Sequence, residues 1–70
     1  MTGQEVIRKV LERATLSVED LARETGISSA TLFAWQAGRR NPSPENLAKL
    51  AEALRRRGGE LARLADELEG

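Results

Sequence analysis

Apolar residues recur along the chain at intervals of three and four, the spacing that gathers side chains on one face of an α-helix, and no segment reads as a strand. Val6, Ile7, Val10, Leu11 and Ala14 form the first stripe. Thr2 and Glu5 stand before it as a capping box, so a helix is expected to about residue 13. Ser17 caps a second helix over about 18–24, with Asp20 as its return partner and Leu16 and Leu21 as a hydrophobic staple. Gly26 then suits the left-handed conformation that ends a helix, and Ile27 and Leu32 repeat the staple around a new cap, Ser28. The two helices are thus joined by a turn rather than a linker. Ser43, followed by Pro44 at the first helical position, opens a fourth helix to about residue 57 with Leu47, Leu50, Ala51 and Leu54 inward. Gly58 and Gly59 stop it. A fifth, over about 60–68, carries Leu61, Leu64, Ala65 and Leu68 on one stripe. The pattern predicts a single all-α domain of five helices over residues 1–70.

The third helix breaks the rule that the others follow. No charge occurs anywhere over 25–38, in a chain that is 31% charged. Leu32 and Trp35 share the inward phase with Ile27, which makes Trp35 a core residue rather than a stacking platform. The opposite side carries Ala30, Phe33, Ala34 and Ala37, where a solvated helix would place Lys, Glu, Arg or Gln. Phe33 lies well away from the core phase and is assigned to an interface.

Composition narrows the function classes. A chain of 70 residues buries only about 60% of its unfolded surface, so a deep enzyme cleft is not expected. Histidine and cysteine are absent, leaving no imidazole base for Ser17 or Ser28, no disulfide framework and no thiolate zinc site. Both serines are already accounted for as caps. The acidic pairs Glu19 with Asp20 and Asp66 with Glu67 diverge around their helices, so no enzyme, metal site, cofactor or small-molecule substrate is expected. No apolar run approaches a membrane span and no secretory signal pattern precedes the first helix, which predicts a soluble, cytoplasmic protein with no membrane partner. The net charge is zero, against a generic cationic nucleic-acid binder. Its distribution is uneven: Arg39, Arg40, Lys49, Arg55, Arg56 and Arg57 face only Glu45 and Glu52 along that stretch, while the last turns are acidic. Lys49, Arg56 and Arg57 read as ordinary exposed helix residues.

The coordinated positions Leu21, Ala22, Gly26, Ile27, Leu32 and Trp35, continued by GRRNPSPENLAKLAEAL, resemble the helix-turn-helix of phage repressor and Cro-type DNA-binding domains, the lambda-repressor-like class. The resemblance covers roughly residues 4–55, with the helix-turn-helix at about 17–37. It implies sequence-specific binding of double-stranded DNA with the third helix in the major groove, and nucleoid association in a bacterial or phage setting. By that resemblance Ser29, Ala30, Phe33 and Ala34 fall at base-facing positions, with Thr31 at the edge. Their chemistry suits thymine methyl groups, with hydroxyls for a base or a phosphate. Guanine reading is not expected from a helix without Arg or Lys. Phosphates would be met by the helix starts at Ser17, Ser28 and Ser43 and by the loop residues Arg39, Arg40 and Asn41. Three positions depart from the family pattern: Val18 where a phosphate-holding glutamine is usual, Gln36 where glutamate is common, and Ala37 where asparagine is frequent. The clean caps and the Glu-, Arg-, Leu- and Ala-rich helices have the regularity of an engineered member. The alternative function is a helix-turn-helix used to bind another protein. Members of the family often pair on two-fold symmetric sites, so the chain would act as a monomer or a homodimer on DNA. The monomer is favoured, because the fifth helix is needed to close its own core.

Overall fold

Five helices account for about three quarters of residues 2–70, which the computed structural model describes: α1 (Gly3–Ala14), α2 (Val18–Thr25), α3 (Ser29–Gln36), α4 (Pro44–Arg57) and α5 (Gly59–Glu69). No strand occurs among the described residues. Each of the first four helices starts where a hydroxyl can take an orphan amide. The Thr2, Ser17, Ser28 and Ser43 side chains accept from the backbone N–H groups of Glu5, Asp20, Thr31 and Asn46. The box at α1 is reciprocal, with the Glu5 carboxylate accepting from the Thr2 N–H at 3.3 Å. At α2 the expected reciprocity is missing. The Asp20 carboxylate turns instead to Arg23, one turn along on the solvent side, because a guanidinium outcompetes a backbone amide for an exposed carboxylate.

α1 ends without a glycine. Thr15 takes the left-handed conformation, φ 53°, so that its N–H reaches the Leu11 carbonyl at 3.2 Å. The break between α4 and α5 is sharper, since Gly58, at φ 76° and ψ −173°, occupies a region essentially closed to residues with a Cβ. Gly58 and Gly59, both at positive φ, therefore fold α5 back along α4 as a helical hairpin.

The five stripes meet in one core, in which Trp35, Ile7, Leu21, Leu32, Leu50, Leu54, Leu64 and Val10 are the largest side chains withdrawn from solvent. Leu64, Ala65 and Leu68 of α5 are buried in this cluster, with Leu61 packed at its edge. The leucine stripe of the last helix thus closes the chain's own interior. Ion pairs tie the helices from outside: Arg13 of α1 to Glu67 of α5, and Arg55 of α4 to Asp66 and Glu69 of α5. Arg56 and Arg57 are exposed, as the sequence predicts, yet they are not idle. Arg57 grips the Glu24 carboxylate at 2.5 Å, and Arg56 donates to the Glu24 carbonyl at 3.1 Å, so the end of α4 holds the end of α2. These contacts also empty the expected basic cluster, because Arg55, Arg56 and Arg57 are each matched by carboxylates brought in from other turns.

Two consequences are measurable. Hydrogen bonds from Arg57 hold the Glu24 carboxyl below its ordinary value of 4.5, and the Thr2 backbone N–H does the same for Glu5. A carboxyl depressed by folding stabilises the native state above its unfolded pKa and loses that contribution as pH falls through the folded value. The urea midpoint should therefore drop on acidification below about pH 4.5, and Glu24→Gln should flatten that drop. Separately, Thr15→Gly should raise stability by about 0.5–1 kcal/mol in a urea melt, the left-handed penalty removed less the entropy of the added glycine.

Candidate nucleic-acid interface

The turn between α2 and α3 is set by one residue that the hydrophobic pattern does not reveal. Thr25 is the buried polar residue of the core; its hydroxyl donates to the Leu21 carbonyl at 2.8 Å and accepts from the Ile27 N–H at 3.1 Å. It bridges the last turn of one helix to the first residue leading into the next. Gly26 follows at φ 76°, its N–H on the Ala22 carbonyl, and Ile27 drops into the core. The crossing of α2 and α3 is thus fixed by a satisfied polar bridge and a staple together.

α3 buries only Leu32 and Trp35. Phe33 is 42% exposed and is the large apolar side chain that the described surface leaves in solvent. Ala30 is exposed, while Ser29, Thr31 and Ala34 are half-buried. Ala30 and Ala34 form one row along the helix, with Phe33 and Thr31 on its two flanks. A shallow depression of about 300 Å³ lies on this side, lined by Ala30, Thr31, Ala34 and Arg40. The Ser28 hydroxyl donates to that of Thr31 at 2.8 Å, so both are engaged at the helix start.

The loop after α3 is held at both ends. The Gly38 N–H reaches the Trp35 carbonyl at 3.0 Å and the Arg39 N–H reaches that of Ala34 at 2.9 Å, with Gly38 at φ 78°. This paired closure is a Schellman motif. From the other side α1 arrives end-on. A Cβ on Gly3 would collide with the Arg40 carbonyl oxygen and press on Trp35, so only glycine permits the approach. Two hydrogen bonds close it: the Gly3 N–H donates to Asn41 Oδ1 at 2.8 Å, and Gln4 Nε2 donates to the Gln36 carbonyl at 3.3 Å. Asn41, expected only as a phosphate contact, therefore has half of its amide committed to the start of α1. That role could have been suspected from its companion, an early glycine with no turn to make.

Arg39 and Arg40 are exposed and make no ion pair among the described residues, unlike Arg55, Arg56 and Arg57. Ser17, Ser28 and Ser43 are exposed caps whose oxygens already hold one amide each. Val18 is buried, 7% exposed, so the start of α2 offers backbone there and no polar side chain. Gln36 and Ala37 are exposed. A larger depression of about 410 Å³, with Ile7 and Leu11 at its base, lies between α1 and the end of α3, away from the alanine row. No group of His, Cys, Asp and Glu side chains that could hold a metal ion occurs among the described residues, and no helix is long and apolar enough to cross a membrane.

A family model described as helix-turn-helix matches residues 7–67 of the chain. No curated protein and no solved structure was found to match it. Replacing Gly3 with Ala should lower stability by about 1–3 kcal/mol, the usual penalty of forcing a methyl into a closed contact. The amide shifts of Arg39, Arg40 and Asn41 should move with it; a variant with unchanged shifts in that loop would mean that α1 does not hold it.

Proposed function

The chain belongs to the helix-turn-helix family, whose domains bind double-stranded DNA, and on that premise we propose that α3 is the element that enters the major groove. The observation that carries this reading is the face of α3: one side is sealed by Leu32 and Trp35, and the other presents Ala30, Ala34 and an exposed Phe33 with no charge among them. A groove about 12 Å wide admits one helix, and short side chains let the backbone come close to the base edges. Ala30, Phe33 and Ala34 pack on thymine methyl groups, and Ser29 and Thr31 lie at the start of the helix, where a hydroxyl meets a base or a phosphate.

Phosphates are met at the ends of elements. The first-turn amides of α2, α3 and α4, beside Ser17, Ser28 and Ser43, favour anionic oxygens. Arg39, on an anchored loop and without a carboxylate partner among the described residues, is the cation best placed to hold the sugar-phosphate backbone. Asn41 orders that loop through its carbonyl and keeps its NH2 for a phosphate. The burial of Val18 removes the side chain that the family uses for one such contact, so the backbone amides of α2 carry that duty alone. With the leucine stripe of α5 inside the core, the chain binds as a monomer.

Phe33→Glu should leave the thermal melt nearly unchanged, because the ring is solvent-exposed, yet weaken duplex binding by roughly tenfold or more through charge repulsion in the groove. Arg39→Ala should reduce the slope of log affinity against log salt by about one. Unchanged DNA affinity in folded Phe33→Glu would remove α3 from the groove. Salt-insensitive binding of a protein that is lost with Phe33→Glu would mark the same face as a protein-docking surface instead.

A further inference from the structure

We infer that Arg40 reads the edge of a guanine, and that the alanine row beside it seats the 5-methyl group of a pyrimidine on the neighbouring base pair. The inference deepens the proposal that α3 enters the major groove and rests on it. Arg40 does not simply trail from the end of the helix: it lines the same depression as Ala30, Thr31 and Ala34. An arginine there borders the face that meets the bases, so its guanidinium is within reach of base edges as well as of the rail.

Three features fit it to a base rather than to a phosphate. Its backbone is fixed on both sides, the N–H toward the Ala34 carbonyl at 3.4 Å and the carbonyl seated on Gly3, so the side chain leaves from a set position. Among the described residues no carboxylate pairs with it, so the planar fork keeps both parallel donors for the O6 and N7 acceptors of guanine. The floor beside it is methyl: the Ala30 and Ala34 side chains carry no polar atom, and the Thr31 hydroxyl, which accepts from Ser28, stands at the edge of that floor. A surface of methyls next to a fork of donors matches the major-groove edge of thymine, or of 5-methylcytosine, adjoining guanine. α3 itself lacks Arg and Lys; the loop supplies the guanine reader that the helix does not.

The test starts from duplexes selected from a random pool by the full chain. In the selected site each guanine is replaced in turn by 7-deazaguanine and each thymine by deoxyuridine, and binding is measured for the wild type, Arg40→Ala and Arg39→Ala. One guanine position should lose about tenfold with wild type and with Arg39→Ala, and nothing with Arg40→Ala. The pyrimidine beside it should lose about fourfold when its methyl is removed. Circular dichroism melts control for folding. A guanine penalty that persists in Arg40→Ala overturns the assignment, as does an Arg40→Ala loss that is uniform across sequences with a salt slope lower by one. A selected site without guanine overturns it too. Failure to bind any duplex would instead sink the reading of α3 on which it rests.

Discussion

A single close contact holds the geometry together: the N-terminus of α1 abuts the end of α3, where Gly3 lies against Trp35 and the Arg40 carbonyl. Trp35 is the largest buried side chain and cannot shift without disturbing every helix it touches. Fixing the chain just beyond it therefore fixes the pitch of α3 and the course of the loop at once. The Schellman closure supplies the same restraint from within the helix, and Asn41 supplies it from beyond. The outward face of α3 is presented on a rigid support, although α3 itself is only 8 residues long.

The charges are arranged to leave that face alone. Arg13, Arg55 and Arg57 are drawn to carboxylates on other helices and Arg56 to Glu52 one turn back on its own, and each pair is exposed, so it contributes little stability one by one. Their collective effect is positional: Glu24 at the end of α2 is tied to α4, on the side of the molecule where the helix-turn-helix must be braced. Among the described residues, what remains unpaired on the loop leaving α3 is Arg39 and Arg40. A neutral molecule thus carries a local cationic spot without being basic overall.

Most of the fold is legible in the sequence because its signals are local. A hydroxyl before an apolar stripe and a glycine after it set helix boundaries to within a residue or two, and stripe phase gives the inward side chains. What escapes the sequence depends on distant partners. Thr25 looks like a surface threonine until the turn folds over it, and Asn41 looks like a loop polar group until α1 arrives from thirty-eight positions away. Arg56 and Arg57 were legible as exposed but not as tethers, since Glu24 reaches them only through the packing of α2 on α4. Thr15 is hidden for another reason: threonine is a poor left-handed residue, and the sequence offers no glycine where α1 ends. For the candidate interface, the charge-free face of α3 was plain from spacing alone; the position of Arg40 beside that face was not, because it depends on how the loop is folded back.

The charge-free side of α3 also sets the thermodynamic character of whatever it touches. Methyl groups and a phenyl ring bring no condensed counterions and hold no tightly bound water, so their burial in a groove contributes through released hydration water. Such a contribution grows with warming near room temperature and leaves a negative heat-capacity change, while remaining nearly blind to ionic strength. The helix and its arginine loop would then respond to different solution variables, heat for one and salt for the other, within a single contact surface.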